Sequence, residues 1–290
     1  MRQDYSRTAE AMALIRALEQ QQPTAQRIID DPFAAAFLLN RYYRWMARSR
    51  WLARGVLRFL RHWAAGGQEF LTIRPRLVDD LVTAEAAHGL AQVVILGAGF
   101  DTHAWRCRAA LSQTTVFEID HPATQQTKRA QSQQLGLPDN LRFVAVDFET
   151  DDFAERLLAA GFNPELPTYF VWVGVSYYLT AQAVADTLQR LASLSRAGSR
   201  TGTKLVWDYL LAEVVNGTSI NREALGKARR VAQLGEPWLW GIAPANLPTY
   251  LAGFGFKLLH DYEPAELRER YAAARPMPMS YVRIAVCEKA

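Results

Sequence analysis

The stretch VVILGAGFDTHAW, Val93 to Trp105, contains the turn on which the fold depends. Its first four residues are apolar and lead directly into Gly97 and Gly99, as a buried parallel strand does when the chain turns tightly at its carboxyl end. Open α/β sheets bind their ligands at that end. The segment therefore predicts an α/β fold with a ligand site beside the Gly97–Gly99 turn.

The same turn argues against two common nucleotide-binding motifs. The dinucleotide fingerprint has a third glycine three positions after the second, but Thr102 stands there. No GxxxxGK[ST] sequence occurs, so the loop and lysine that hold a nucleoside triphosphate are missing. An NAD-dependent dehydrogenase is thus a disfavoured alternative, and a cofactor with a nucleoside and no phosphates fits the turn better.

The composition is that of a folded chain, with half of its 290 residues apolar. A net charge of +4 is too small to indicate nucleic acid without a concentrated patch. The two cysteines, Cys107 and Cys287, form no CxxC pair, so we predict neither a disulfide scaffold nor a metal site. No signal-peptide pattern and no run of about 18 apolar residues is present, which favours a cytoplasmic protein without a membrane span.

Helical and strand-like segments divide the chain in two. Residues 5–88 contain no strand-like stretch, and we predict a helical N-terminal cap over residues 1–88. From Gln92 onward seven apolar runs alternate with helical segments, which is typical of βαβ units. We predict a Rossmann-like α/β core over residues 89–290 with a seven-stranded, mostly parallel sheet, in which the last strand is antiparallel, either at an edge or inserted. The seven runs are QVVILG, TTVFEID, LRFVAVDF, YFVWVGV, TKLVWDYL, FKLLHDY and YVRIAVCE.

Two parts of the core connect its strands in predictable ways. The segment after the fourth strand begins with a Thr180 cap and reaches Gly198, a C-cap candidate, so we predict a crossover helix between them. An insertion over about residues 211–251 is helical at first and then reads EPWLWGIAP, with two tryptophans. We interpret it as a lid or a wall of the substrate site.

The segment Arg41 to Trp63 has seven arginines, no acidic residue and a stripe at helical spacing. One interpretation is a basic amphipathic helix that meets an anionic substrate or a membrane surface. The other is a cap helix with its stripe on the core and its arginines in water. The stripe consists of Tyr42, Trp45, Ser49, Leu52, Val56, Phe59 and Trp63.

Carboxylates follow each of the first three predicted strands: Asp101, Asp120 and Asp147. An acid at the end of the second strand can accept both hydroxyls of a ribose, because one carboxylate offers two oxygens. An acid after the third strand can accept from an adenine amine. Aspartate is also a common helix cap, but three in successive turns beside the glycine pair favour a nucleoside site.

Several segments, in their order and spacing, resemble the leucine carboxyl methyltransferase family, and most of all its bacterial branch that includes polyketide carboxyl O-methyltransferases. The resemblance covers Tyr5 to about Leu188. It implies a class I methyltransferase fold and S-adenosylmethionine as the cofactor, so the glycine turn would pass beside the methionyl part with no phosphate to hold. The matching segments are YSRTAEAMALIRALEQ, DDPFAAAFL, FLTIRPRLVDDLV, QVVILGAGFDTHAWR, VFEIDHPATQQTK, VDFETDD and VGVSYYLT.

The resemblance assigns roles to individual residues. It implies that Arg74 binds the cofactor's carboxylate, as a guanidinium does bidentately, and that Tyr178 borders the place where cofactor and acceptor meet, although a tyrosine packed by its ring is the alternative. Arg7 lies near a second family cation but is more simply a solvated helix residue, and His103, where the branch usually has arginine, is interpreted as structural. The other implied contacts are Gly97 and Gly99 with the methionine, Asp120 with the ribose, and Asp147 with Phe148 at the adenine.

One departure concerns Val173, in the sequence Trp172-Val173-Gly174-Val175. The family commonly has glutamate at this position, and the resemblance implies that this acid hydrogen-bonds the cofactor's ammonium. Either a backbone carbonyl or another acid takes this role, or the chain is a weakened or non-catalytic homologue.

A carboxylate acceptor is ionised at neutral pH and needs no general base, which fits a sequence with no evident His/Asp dyad. We therefore predict methyl transfer to a carboxylate of a small molecule, anionic and aromatic or apolar. A protein carboxyl methyltransferase is the other enzymatic alternative, and the sequence does not predict an oligomeric state.

Overall fold

The computed structural model describes residues 5–63, 66–148, 150–195, 202–233 and 235–290. In this part of the chain, seven strands form one sheet in the order β3-β2-β1-β4-β5-β7-β6. In chain order the strands β1 to β7 are Gln92–Leu96, Thr115–Asp120, Leu141–Ala145, Thr168–Trp172, Lys204–Leu210, Phe256–Tyr262 and Val282–Lys289.

Helices precede the sheet and connect its strands. Four of them come before β1, where the described residues contain no strand; the division into a cap over residues 1–88 and a core over 89–290 stays a prediction. In chain order the helices α1 to α12 are Arg7–Glu19, Arg41–Arg48, Arg50–Trp63, Gly67–Ala86, His103–Arg106, Pro122–Ser132, Phe153–Ala159, Ala181–Ser193, Ala212–Val215, Arg222–Gln233, Leu247–Ala252 and Pro264–Ala272. Short 3₁₀ helices lie at Thr24–Gln26, Ala34–Phe37, Gln133–Leu135, Ser176–Tyr178 and Pro244–Asn246.

The sheet is mostly parallel, as predicted. Strands β1 to β5 pair in parallel, and β7 runs antiparallel between β5 and β6, so the last strand is inserted and does not form an edge. The chain goes outward from β1 through β2 to β3 and then returns to the other side of β1 with β4. This reversal places a crevice at the carboxyl ends of β1 and β4, where open α/β sheets bind ligands.

The apolar run of β1 is explained by burial on both faces of the sheet. Val93 and Ile95 belong to one apolar cluster, and Val94 and Leu96 belong to the other. Because successive side chains of a strand point to opposite faces, a strand covered on both sides shows no polar alternation. The Gly97–Gly99 turn therefore follows a central strand that is buried on both faces of the sheet.

The predicted crossover helix after β4 is α8, and its N-cap is confirmed. The Thr180 side chain accepts a hydrogen bond from the Ala183 amide at 3.2 Å, which satisfies one of the amides that a helix start leaves unpaired. The predicted C-cap Gly198 lies outside the described residues. Within the described ranges, no helix has the length and apolar character needed to span a membrane.

The arginine-rich segment forms two helices, α2 and α3, because the backbone at Ser49 is extended. Its aromatic stripe does not face the core: Tyr42, Trp45 and Phe59 are 65%, 61% and 59% exposed. The interpretation that placed these rings on the core is wrong. The break at Ser49 changes the helical phase, and the buried residues of the pair are Ala47, Ala53 and Leu57. The side chain of Trp63 lies outside the described residues.

Candidate active site

A cavity of about 760 Å³ lies at the carboxyl ends of β1, β2 and β4, within the range of small-molecule sites. Helices α1 and α4 form its other wall. It coincides with the crevice that the strand order creates, and it contains most of the residues that the sequence singled out. Those that line it are Arg74, Gly97, Gly99, Asp101, His103, Asp120, Val173 and Tyr178.

The glycine turn is held closely on two sides. Gly97 and Gly99 have φ angles of 67° and 50°, which residues with a side chain rarely adopt. A Cβ on Gly97 would lie 2.5 Å from Cγ2 of Val175, and one on Gly99 would lie 3.0 Å from Cβ of Ala9. The backbone of the turn thus forms part of the cavity wall because no side chain fits there.

Asp120 ends β2 with its carboxylate fixed by two backbone amides. It accepts from Gly99 N at 2.5 Å and from His121 N at 2.7 Å. Burial raises the pKa of this carboxyl, and the two amides oppose the shift without cancelling it. Since each carboxylate oxygen accepts more than one hydrogen bond, Asp120 can still accept hydroxyl donors from the cavity.

Arg74 of α4 is buried and forms an ion pair with Asp208 at the end of β5. Its Nη1 lies 2.7 Å from Oδ2 of Asp208 and 3.4 Å from the hydroxyl of Tyr177. The second oxygen of Asp208 accepts from Gly174 N at 2.8 Å. Among the described residues, hydrogen bonds to Arg74 use Nη1 alone, so the Nε–Nη2 edge is available to a ligand.

Asp208 was missed in the sequence, although a signal was present. The strand TKLVWDYL is apolar except for this residue and its ends, and a buried carboxylate in such a strand needs a charged or hydrogen-bonding partner. The pKa of Asp208 is raised by burial, which the charge of Arg74 only partly opposes. The acid lies beside Gly174 but is fully buried, so it orients Arg74 and does not line the cavity.

The N-terminal helix and the predicted lid segment meet over the cavity. The Ser6 amide donates to Oγ1 of Thr124 at 3.2 Å, and the Thr8 hydroxyl donates to Glu236 at 2.9 Å. Glu236 lines the cavity together with Gly235, Pro237 and Leu239. This acid was not singled out in the sequence.

The two tryptophans of EPWLWGIAP do not line the cavity, and Trp240 instead stacks on Trp207 in the core.

A network of buried charged residues contacts the segment around the Gly97–Gly99 turn. Arg16 donates to Asp31 at 2.8 Å and to the carbonyl of Phe100 at 2.6 Å. Arg106 donates to both oxygens of Asp79, at 2.8 and 2.7 Å. The bond from Arg16 to Phe100 fixes α1 to the chain that follows Gly99, and the bonds of Arg106 fix α5 to α4.

His103 belongs to this network and carries a proton at neutral pH. Its Nδ1 lies 2.6 Å from Asp79, and its side chain is only 1% exposed. Burial acts to lower the pKa of His103, but the charge of Asp79 overrides it and raises the pKa to about 10. His103 is thus buried and paired, which fits the interpretation of this residue as structural rather than solvated.

The remaining predicted residues lie in different surroundings. Tyr178 lines the cavity, its ring lies 4.8 Å from that of Tyr177, and burial raises the pKa of its phenol. Asp147 and Phe148 follow β3 and do not line the cavity; Phe148 is half exposed and packs against Phe153. Their contact with an adenine stays a prediction. Arg7 is exposed on α1 and also lies outside the cavity.

The sequence pattern of the leucine carboxyl methyltransferase family matches residues 9–192. A candidate S-adenosyl-L-methionine-dependent methyltransferase of Mycolicibacterium smegmatis is 34% identical over 212 residues, which cover 71% of this chain and 68% of that protein. A protein of Bacillus subtilis given the same description, YktD, is 30% identical over 204 residues, with 70% and 66% covered.

Solved structures show the same fold at low sequence identity. A candidate methyltransferase from Thermobifida fusca has a TM-score of 0.60 and 14% identity over 94% of this chain and 97% of its own. A DUF574 family protein from Streptomyces avermitilis has a TM-score of 0.59 and 14% identity, with 94% and 100% covered. Together with the matched pattern and relatives, this class I methyltransferase fold shows that the chain belongs to the leucine carboxyl methyltransferase family, a family of S-adenosylmethionine-dependent methyltransferases.

Proposed function

We propose that this protein transfers the methyl group of S-adenosylmethionine to a carboxylate of an apolar small molecule. The observation that carries the choice of acceptor is the contact between His103 and Asp79. The imidazole of His103 lines the cavity, but its Nδ1 lies 2.6 Å from Asp79, whose charge raises the pKa of His103 to about 10, so it is poorly suited to remove a proton from a hydroxyl acceptor. A carboxylic acid, whose pKa is ordinarily about 4, is already ionised.

The cavity suits this cofactor. The Nε–Nη2 edge of Arg74 presents two parallel donors to a carboxylate, Asp120 accepts ribose hydroxyls, and the turn at Gly97 and Gly99 lets the ligand approach the backbone closely. When bound, the cofactor supplies an electrophilic methyl group on a sulfonium sulfur. Asp147 and Phe148 are proposed for the adenine, on the strength of the family resemblance alone.

An acidic partner for the cofactor's ammonium is available although residue 173 is valine. The acids that line the cavity are Asp101, Asp120 and Glu236. Asp120 is held by two amides, and Asp101 faces Arg106 and His103, whose charges hold its pKa below the ordinary value against the effect of burial. Glu236 lines the cavity from the segment that follows α10, and we assign the ammonium to it.

The protein's contribution to the transfer is alignment and removal of water. Methyl transfer is an in-line displacement that consumes the sulfonium charge, so a well-oriented pair in a dry site needs little else. The contact between Thr8 and Glu236 covers the cavity. Its apolar walls would hold the body of the acceptor, and they consist of Met12, Leu71, Val78, Leu179 and Leu239.

A labelled-methyl assay tests the proposal. The purified chain would be given methyl-labelled S-adenosylmethionine with a series of apolar carboxylic acids and the matching primary alcohols. We expect labelled methyl esters, and a rate that stays level between about pH 6 and 9 because the acceptor is ionised throughout. Methyl ethers formed only from the alcohols, at a rate that rises with pH, would overturn it. Cofactor binding with no transfer to any acceptor would instead support a non-catalytic homologue.

A further inference from the structure

Helices α2 and α3 present a surface of arginines and aromatic rings that the cavity does not use. None of its residues lines the cavity. Trp51 is 82% exposed, and large aromatic side chains at this level of exposure mark interaction sites when they are grouped. We call this group the basic–aromatic surface; its exposed members are Arg41, Tyr42, Arg44, Trp45, Arg48, Arg50, Trp51, Arg54, Arg58 and Phe59.

The surface is held firmly by the opposite side of the two helices. Ala47, Ala53 and Leu57 are at most 4% exposed and belong to the main apolar cluster. Through them α2 and α3 pack on α1 and α4. The exposed rings therefore project from a supported pair of helices, and burial within this chain does not account for them.

The charge of the surface has one sign. Residues 41–63 contain seven arginines and no acidic residue, whereas the whole chain has 33 basic and 29 acidic residues. Without this segment the chain would carry a net negative charge, so the positive charge is concentrated here. Two guanidinium groups also lie over exposed rings, Arg41 at 5.5 Å from Tyr42 and Arg54 at 5.9 Å from Trp51.

We propose that the basic–aromatic surface docks on an anionic lipid membrane. Tryptophan and tyrosine settle at the level of lipid headgroups, where one end of the ring is apolar and the other is hydrated. Arginines beside them bind headgroup phosphates, and juxtaposed basic residues add affinity for anionic leaflets. Both helices expose arginines together with aromatic rings, the combination that interfacial helices present to a membrane.

The charge pattern disfavours a second copy of this chain as the occupant. A two-fold symmetric dimer places the same patch on both subunits, so arginines would face arginines with no acid in the segment to pair them. Nucleic acid fits the arginines, but none of the four exposed rings lines the cavity, and sequence-independent binding of single strands uses rings within a positively charged groove.

Docking would bring the cavity close to the membrane. Helices α1 and α4 contact α2 and α3 and also contribute residues to the cavity wall. The helices of the docked surface therefore pack directly on helices of the cavity, and an apolar acceptor would be concentrated at the membrane. The docking itself does not depend on the identity of that acceptor.

A vesicle sedimentation assay with the full chain tests the proposal. Sucrose-loaded vesicles would contain phosphatidylcholine alone or an equal mixture with phosphatidylglycerol. We expect at least about tenfold tighter binding to the anionic vesicles, and loss of most of that binding at about 1 M salt, where exposed charges are screened.

Two variants and one matched control distinguish an effect of the basic–aromatic surface on vesicle binding from an effect of the net charge. The triple change Arg44→Gln, Arg48→Gln and Arg58→Gln should lower binding at least about tenfold, and Trp45→Ala with Trp51→Ala and Phe59→Ala should also weaken it. The control changes three exposed arginines elsewhere to glutamine and alters the net charge equally, yet should bind as the unmodified chain does. These are Arg108, Arg222 and Arg229. All replaced residues are exposed, and a thermal unfolding curve for each variant checks that it folds.

Three results would overturn the proposal. One is equal binding to neutral and anionic vesicles by all variants. A second is tight binding of an oligonucleotide through the same arginines with no vesicle binding. A third is a dimer in solution that the aromatic variant dissociates, again with no vesicle binding.

Discussion

Arg74 and Asp208 form a buried ion pair, 2.7 Å between Nη1 and Oδ2, that joins helix α4 to strand β5 beneath the cavity. The pair is satisfied on both sides, since Asp208 also accepts from Gly174 N and Arg74 also donates to Tyr177. Arg74 also lines the cavity, and among the described residues its hydrogen bonds use Nη1 alone. The acid on β5 thus gives Arg74 a fixed orientation.

Asp208→Asn should destabilise the protein. It removes the partner charge while keeping the side-chain shape, and an unpaired buried charge costs about 3 kcal/mol or more of the free energy of unfolding. Urea denaturation would measure this loss. The matched control is Asp30→Asn, which breaks the exposed pair of Arg27 and Asp30 and should change stability by less than about 1 kcal/mol. Equal effects of the two changes would contradict the role of Asp208.

Arg74→Lys should weaken binding of the cofactor's amino-acid part. A lysine lacks the two parallel donors of the Nε–Nη2 edge. Calorimetry should show weaker binding of S-adenosylhomocysteine and nearly unchanged binding of 5′-methylthioadenosine, which has no amino-acid group. Asp120→Asn is the contrasting variant, because a ribose contact affects both ligands. A similar loss for both ligands in the Arg74 variant would argue against the carboxylate contact.

Gly97→Ala should destabilise the protein more than an alanine at another glycine with positive φ. At Gly217, φ is 74° and a Cβ would meet nothing within 4 Å, so Gly217→Ala meets the backbone strain alone, about 1–2 kcal/mol. At Gly97 the Cβ would also clash with Val175, which adds about 1–3 kcal/mol. A double-mutant cycle with Val175→Ala should recover part of that difference; additive effects would show that the clash is not the cause.

Much of the fold was predictable because buried segments appear in the sequence as apolar runs. The seven apolar runs correspond to the seven strands. The predicted Gly97–Gly99 turn lines the cavity. The same reasoning gave the wrong result for the aromatic stripe of residues 41–63, whose rings are exposed and do not face the core. Periodicity shows that one side of a helix differs from the other, but it does not show which side is buried once a break such as that at Ser49 changes the phase.

The position of Asp120 at the cavity was predictable, because this residue ends a parallel strand. Asp208 and Glu236 were missed for different reasons. Asp208 contributes to the site by pairing with Arg74, which lies 134 residues away in the chain. Glu236 reaches the cavity from the lid segment, whose path over α1 depends on packing that local sequence does not encode.

The stability of the protein should fall as the pH rises from about 6.5 to about 10. The pKa of a histidine is ordinarily about 6.5, and that of His103 is about 10 in the folded protein, because Asp79 outweighs burial. The contribution of the ion pair is therefore complete below about pH 6.5 and is lost as the pH rises through 10. In that window the unfolded chain binds one proton fewer, so the free energy of unfolding falls by about 1.4 kcal/mol per pH unit.

His103→Gln tests this assignment because glutamine does not titrate. Urea denaturation of both proteins at several pH values between 6 and 10 should show a decline in the unmodified chain that is smaller in the variant. Parallel curves for the two proteins would mean that another group is responsible.

Glu236→Gln should lower the affinity for S-adenosylhomocysteine about ten- to a hundredfold, the effect of losing one charge-assisted hydrogen bond. Binding of 5′-methylthioadenosine should be unchanged, because that ligand has no ammonium group. Asp101→Asn, a second loss of negative charge in the same cavity, is the control and should have a smaller effect. Calorimetric titration measures all three affinities.

Val173→Glu completes this test because it restores the acid that the family commonly has. If Glu236 binds the ammonium as proposed, Val173→Glu should add little affinity in the unmodified background and should recover most of the loss in the Glu236→Gln background. If Val173→Glu instead raised the affinity of the unmodified chain about tenfold or more, and Glu236→Gln had no effect, the assignment of the ammonium to Glu236 would be wrong.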